Sequence, residues 1–256
     1  MHDRSGKRSG NRTGQPTWLF DLDNTLHNAS HAIFPAINVN MNAFLARVLG
    51  NGDTPADDDT VNKVRHTYWQ RYGATLVGMV RHHGVRAEDF LHAAHTFDDL
   101  TSMIRAERGL ARLLQRLPGR KILLTNAPRR YARDVLRHLG LHRHFARHVP
   151  VEAMHVHRQL RPKPSRSMLR KLLAQEHLAA HKCILVEDTV ANLKAARTVG
   201  MRTAWVTGYA EKQRAVQARA ANLTTDTLTK LTKRPLYVDV KVESIKQLPV
   251  CLHRLR

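Results

Sequence analysis

Two cysteines, Cys183 and Cys251, are all that 256 residues contain. That is too few for a disulfide framework or a structural zinc site, and it fits a reducing cytosol, so a cytoplasmic protein is expected. Long apolar runs are also missing: Lys121–Leu124 and Ile184–Val186 are strand-sized, far below the roughly 20 residues of a membrane span. No Gly-rich loop ending in Lys-Ser/Thr is present, which excludes triphosphate hydrolysis of that type. Residues 1–16 are charged and Gly-rich, without the apolar stretch of a secretory leader, and read as a disordered basic tail.

Acidic residues are scarce as well. Against 42 Lys and Arg stand 21 Asp and Glu, a formal charge of +21. Such a balance can be an electrostatic footprint for nucleic acid. Its distribution favours a solvated, Arg-biased surface instead. Arg112, Arg116, Arg129, Arg130, Arg133, Arg137, Lys194 and Arg197 are spread over several expected helices, and aromatics, at 5% of the chain, do not interleave with them as a stacking surface requires.

What is present, at 42% hydrophobic content, is enough for one core with a smaller dependent module. Short apolar runs at Thr17–Phe20, Lys121–Thr125, Cys183–Glu187 and Arg202–Thr207 predict strands. Helical spacing separates the later ones, at Arg108–Leu117, Arg129–Leu139, Ser165–Ala174 and Val190–Val199. Alternation of this kind implies an α/β fold with a doubly wound parallel sheet and helices on both faces. A last strand is expected at Leu236–Val240, followed by a short helix from Ser244, at a sheet edge. Residues 33–107 show helical spacing only and predict an inserted helical cap on a core of residues 17–32 and 108–256. Met41, Phe44, Leu45, Val48 and Leu49 would share one buried face. The acidic run Thr54–Asp59 reads as a helix N-terminus, where carboxylates complement the helix dipole.

Ligands of open α/β sheets sit beyond the carboxyl ends of the strands. Four such ends carry polar groups: Asp21 and Asp23; Thr125 and Asn126; Lys163 in Arg161-Pro-Lys-Pro164; and Glu187 with Asp188. Each alone is weak, since a strand ending in Asp is often a helix cap and a Thr-Asn pair a turn. Together, several carboxylates at short range need a cation, and hard oxygen donors suit Mg²⁺. A lysine and a hydroxyl complete an anion site. A carboxylate nucleophile can then form an aspartyl-phosphate.

In order, Phe20-Asp-Leu-Asp-Asn-Thr-Leu26, Thr125, Lys163 and Glu187-Asp-Thr-Val-Ala-Asn192 resemble the four motifs of the haloacid dehalogenase superfamily. That resemblance implies a Rossmann-like core, with Asp21 attacking phosphorus and Asp23 as general acid and base. Asp21, the backbone carbonyl of Asp23 and Asp188 would hold Mg²⁺, with Glu187 assisting directly or through water. Thr125 and Asn126 would hold phosphoryl oxygens, Lys163 would neutralise their charge, and Thr25 and Asn192 would support the turn and the metal loop. An acid at Asp23 favours phosphoryl transfer over the dehalogenating branch, while leaving a phosphomutase open.

Asn28-Ala-Ser30, Ile33-Phe-Pro35 and Tyr72-Gly-Ala-Thr-Leu-Val-Gly78 further resemble the pyrimidine 5'-nucleotidase subgroup. The implied substrate is a small phosphorylated molecule such as UMP or CMP, with a sugar phosphate as the alternative. His27 and Asn28 are placed to meet it. Tyr72 and Thr75 either pack the cap or line its pocket, while Gly73 and Gly78 permit a tight turn or close helix approach. The 17 histidines include the pairs His92/His95, His142/His144 and His155/His157, but nothing links them into the three-ligand set of a catalytic zinc. Surface or partly buried histidines are expected.

Overall fold

The structure, a computed structural model, describes residues 15–211 and 233–255. The tail expected at residues 1–16 lies almost wholly outside them. β1 (Thr17–Phe20) is followed by α1 (Ile33–Leu49), α2 (Asp58–Tyr72), α3 (Thr75–His82), α4 (Ala87–Ala94) and the single turn α5 (Leu100–Met103). Then come α6 (Leu110–Arg116), β2 (Arg120–Leu124), α7 (Arg129–His138) and β3 (Arg147–Val149). A small hairpin of β4 (His155–Val156) and β5 (Gln159–Leu160) precedes α8 (Arg166–Gln175), β6 (Cys183–Glu187), α9 (Val190–Thr198), β7 (Arg202–Val206) and β8 (Val240–Val242).

Six strands form one parallel sheet in the order β3-β2-β1-β6-β7-β8. Alternation along each strand sends successive side chains to opposite faces. Trp18 and Phe20 join Leu114, Tyr131, Val135 and Leu248 on one face. Leu19, between them, joins Leu169, Leu172, Leu193 and Trp205 on the other. Both faces are buried because right-handed crossovers lay α6 and α7 on one side and α8 and α9 on the other. The chain leaves β1 toward β2 and β3 on one flank and later fills β6, β7 and β8 on the other. The carboxyl end of β1 is therefore the switch point where a ligand crevice opens.

Helices α1 to α4 gather a third cluster of their own, with Leu45, Val61, Leu76, Met79, Phe90 and Leu91 buried. Of the face expected on α1, Leu45 is fully buried, while Met41, Phe44, Val48 and Leu49 pack at its margin. Asp57 caps α2 by accepting the Thr60 N–H at 2.7 Å, and Asp58 and Asp59 occupy the first turn, as the acidic run implied. Of the glycines that leave little room for a side chain, one lies at the junction of α2 with α3 and one within α3. Gly73 ends α2 at φ 77° with a Cβ position 3.1 Å from the Pro164 ring, and a Cβ on Gly78 would stand 2.1 Å from Cγ of Tyr68.

The last strand needs correction. Leu236 is fully exposed in a turn, and pairing begins at Val240, although the edge position is as expected. Val240 and Val242, two residues apart, both turn to the cluster that holds Trp18 and Phe20, and that period sets the strand, whereas Val238 before it is buried in the cluster of the opposite face. Ser244 caps the following 3-10 segment Ile245–Cys251. β3 was not foreseen, since Arg147-His-Val149 is short, basic and at the opposite edge. The hairpin also gave no signal, because its turn residues His157 and Arg158 take φ of 49° and 62°, values that glycine or asparagine usually supply. None of the described helices is long and apolar enough to cross a membrane.

Candidate active site

β1 ends at Phe20, and the Asp21 N–H still bonds the Val186 carbonyl at 3.0 Å, so the ladder carries Asp21 just past the sheet. The chain then turns at Asn24, which sits in the left-handed region at φ 58°. Asn24 clamps the turn, its Nδ2 donating to Ser30 Oγ at 2.8 Å and its Oδ1 accepting the Ser30 N–H at 3.1 Å. Asparagine tolerates this conformation better than most residues. Thr25 Oγ1 donates to Asp21 Oδ2 at 3.3 Å.

Lys163 reaches into the site from the loop before α8 and is 3% exposed. Its Nζ donates to Asp21 Oδ1 at 2.6 Å and to Glu187 Oε2 at 2.7 Å, joining the ends of β1 and β6 through one ammonium. The side chain of Asn126 was expected to hold phosphoryl oxygens. Instead it clamps the backbone of Lys163, donating to its carbonyl at 3.0 Å and accepting its N–H at 2.9 Å. These two bonds position the Lys163 backbone and leave the second Nδ2 hydrogen of the amide unused by it. Thr125 Oγ1 accepts the Ala127 N–H at 3.0 Å, which orients the hydroxyl and leaves its proton for another acceptor.

Oxygens of Asp21, Glu187 and Asp188 lie within 4.8 Å of one another, and no other such group of three occurs among the described residues. Burial pushes Asp21 up to about 7, helped by the charge of Glu187 and opposed by Lys163. Burial likewise raises Glu187 to about 7 and Asp188 to about 6. Lys163 is held above its ordinary value because Asp21 and Glu187 outweigh its own burial. Two buried carboxylates and the half-buried Asp188 around one ammonium leave an excess of negative charge when ionised, which a divalent cation with oxygen preference would offset. Two residues not foreseen fix this loop: Trp205 Nε1 donates to the Asp188 carbonyl at 2.9 Å, and Thr189 Oγ1 to Asp188 Oδ1 at 3.1 Å. Asn192 is buried beside them at the start of α9.

Asp23 faces different company. Burial alone would raise it, but hydrogen bonds from His27 and Tyr131, with the charge of His27 and His95 nearby, hold it below its ordinary value. His27, expected to meet substrate, is instead 0% exposed and lies 2.8 Å from Asp23 Oδ1. Asn28 is half-buried; its N–H bonds the Arg105 carbonyl, and its Oδ1 accepts the His31 N–H. Tyr72 shares a 2.6 Å hydrogen bond with His82 and lines a recess with Leu160, Pro162 and Pro164 beside the Lys163 loop. Thr75 is buried and borders a separate recess with Asn38, Arg65 and Trp69. Another cavity, of about 340 Å³, lies between α4 and α7, lined by His95, Phe97, Pro128, Tyr131 and Glu152.

The doubly wound sheet thus carries a carboxylate, lysine and carboxylate array at its switch point, able to hold a cation beside an anionic group. Residues 17–200 match the model of the haloacid dehalogenase-like hydrolases, and the chain belongs to that family. Solved structures agree on the fold. A HAD phosphatase from Thermococcus onnurineus superposes with a TM-score of 0.59 at 15% identity, covering 94% of this chain and all of that one. The L-2-haloacid dehalogenase of Xanthobacter autotrophicus gives 0.54 at 14% identity, covering 93% and 98%. A HAD hydrolase of Bacillus subtilis, solved bound to magnesium, gives 0.53 at 14% over the same shares.

Proposed function

We propose that this chain is a Mg²⁺-dependent phosphomonoesterase that works through an aspartyl-phosphate on Asp21, with pyrimidine nucleoside 5'-monophosphates as substrates. The observation that carries the proposal is the Asp21, Lys163, Glu187 chain of contacts at the β1 switch point, with Asp23 two residues away in a separate hydrogen-bonded setting. Residues 33–107 would act as the cap on a core of residues 17–32 and 108–256.

Asp21, Asp188 and the Asp23 carbonyl would hold Mg²⁺, with Glu187 in support, and the ion supplies charge neutralisation for a phosphoryl group when bound. The donor set fits it: oxygens only, clustered, and short of positive charge. Lys163 keeps Asp21 ionised and offers its ammonium to the phosphoryl oxygens, and the Thr125 hydroxyl donates to another. Asp21 attacks phosphorus as the leaving oxygen takes a proton from Asp23. Asp23 then removes a proton from the water that hydrolyses the acyl phosphate. An arriving phosphoryl dianion adds negative charge beside Asp23 and favours the protonated carboxyl the first step needs.

The nucleotide assignment rests on the Tyr72–Gly78 segment. Gly73 packs on Pro164 next to Lys163, which brings that segment to the edge of the site. A sugar-phosphate phosphatase or phosphomutase with the same chemistry is the alternative. Phosphate release from UMP, CMP, AMP, GMP, dTMP and sugar phosphates, with and without Mg²⁺, tests it. Mg²⁺-dependent release favouring the pyrimidine nucleotides supports the proposal. Release from sugar phosphates alone discards the nucleotide, and transfer without release points to a mutase.

A further inference from the structure

Asp23 lies on the turn after β1 with its side chain 16% exposed, so its own backbone does little to fix the carboxyl. Two neighbours do. The Tyr131 hydroxyl donates to Asp23 Oδ1 at 2.6 Å, and His27 Nε2 approaches the same oxygen at 2.8 Å. An ionised carboxylate only accepts, so in that state His27 carries its hydrogen on Nε2. Nδ1 is then left buried without a partner. Buried polar atoms are rarely left so, and the orphan shows that this ring is oriented for its other nitrogen. Oδ2 of Asp23 has no hydrogen-bond partner among the described residues.

We infer that Tyr131 and His27 are positioning residues that together hold Oδ1 of Asp23, so that Oδ2 is the oxygen presented to the leaving group. The inference rests on the phosphomonoesterase proposal above, which assigns Asp23 its proton transfers. A carboxyl group turns easily about its terminal torsion, with two nearly equivalent orientations. With both donors on one oxygen, a flip would break two hydrogen bonds. The donors themselves are fixed: Tyr131 is 3% exposed on α7, with ring centres 5.3 Å from His95 and 5.9 Å from Phe97. His27 is fully buried.

The chemistry balances on Oδ2. Asp21 bonds to phosphorus, the bond from phosphorus to the leaving oxygen breaks, and that oxygen keeps the electron pair and takes the Oδ2 proton. In the second half a water oxygen bonds to phosphorus, its proton goes to Oδ2, and the Asp21 carboxylate departs. An alkoxide leaving group needs the first proton, whereas p-nitrophenolate leaves without one.

The test compares kcat/KM, which reports the leaving-group step, for p-nitrophenyl phosphate and for the best alkyl monophosphate in wild type, Tyr131→Phe, His27→Leu and His27→Gln. Tyr131→Phe keeps the ring and its packing, so it decides alone if His27→Leu fails to fold by thermal melting. The expected result for Tyr131→Phe and His27→Leu is a loss on the alkyl ester at least tenfold larger than on p-nitrophenyl phosphate. His27→Gln, which keeps an amide donor near Nε2, should recover most of it. Equal losses on both substrates, or none, overturn the assignment while leaving the phosphomonoesterase intact. A wild type inactive on both substrates overturns the phosphomonoesterase itself and this inference with it.

Discussion

Asp21 and Asp23 are two residues apart and chemically identical, yet they stand in opposite surroundings. Asp21 shares one ammonium with Glu187, in a group of three carboxylates, and is pushed up to about 7 by burial and by its acidic neighbour. Asp23 meets two hydrogen-bond donors and no second carboxylate in direct contact, and is held below its ordinary value despite its own burial. The contrast teaches that one turn can hold two carboxylates in settings suited to the two roles proposed for them: a nucleophile with positive charge beside it, and an acid-base group fixed by directional hydrogen bonds.

Changes on the Asp21 side should break this contrast most severely. Asp21→Asn removes the nucleophile and should lower kcat by on the order of 10⁴-fold in a Mg²⁺-supplemented phosphate-release assay; turnover within tenfold of wild type would remove Asp21 from its role. Lys163→Met strips from Asp21 and Glu187 the ammonium they share. Breaking a buried pair from one side costs about 3–5 kcal/mol, to be read from urea denaturation without metal. A cost below about 1 kcal/mol would mean that water already screens the cluster. Asp188→Asn should weaken Mg²⁺ binding by about 10–100-fold or more in a calorimetric titration, while Asp23→Asn, which keeps its backbone carbonyl, should change it little. Equal weakening by both variants would erase the division between the two sides.

The pH dependence follows from the same comparison. Asp21, Glu187 and Asp188 titrate near 7, 7 and 6 in the folded chain, against ordinary values of 3.8, 4.5 and 3.8. Between about pH 4 and pH 7 the folded state binds more protons than the unfolded one, so this cluster makes metal-free stability fall as pH rises. Bound Mg²⁺ favours the ionised carboxylates, so its gain in melting temperature should be larger at pH 8 than at pH 5. A gain independent of pH would place the ion elsewhere. The smallest expected effect belongs to Trp205→Phe. It removes one hydrogen bond to the Asp188 carbonyl and should cost about 1 kcal/mol.

Much of this arrangement was legible in residue order alone. The apolar runs that became β1, β2, β6 and β7 end next to Asp21, Thr125, Glu187 and Thr207, and strand ends are where such sheets bind ligands. Residue chemistry grouped Lys163 with a hydroxyl as an anion site and the carboxylates as a cation site, whereas the direct contacts of its ammonium with Asp21 and Glu187 belong to the fold. Less visible were elements whose signal is weak: β3 is three residues at an edge, and the β4–β5 turn uses His157 and Arg158 where glycine would have marked it.

The site residues that could not be read are those whose role depends on direction. Asn126 beside Thr125 has the composition of a phosphate ligand, but its amide faces the Lys163 backbone across 37 residues of sequence. His27 sits one helical turn from Asp23 in number, yet only the fold buries it completely and turns Nε2 to Oδ1. Tyr131 carries no motif and lies 108 residues from its partner. Sequence by itself determined the alternating strands and helices, the excess of carboxylates at strand ends and the lysine that answers them, because periodicity and charge are properties of residue order. Tertiary structure decided which atoms meet: hydrogen bonds are directional and short, and their geometry exists only once α7, the Asn24 turn and the Lys163 loop have packed against the same sheet edge.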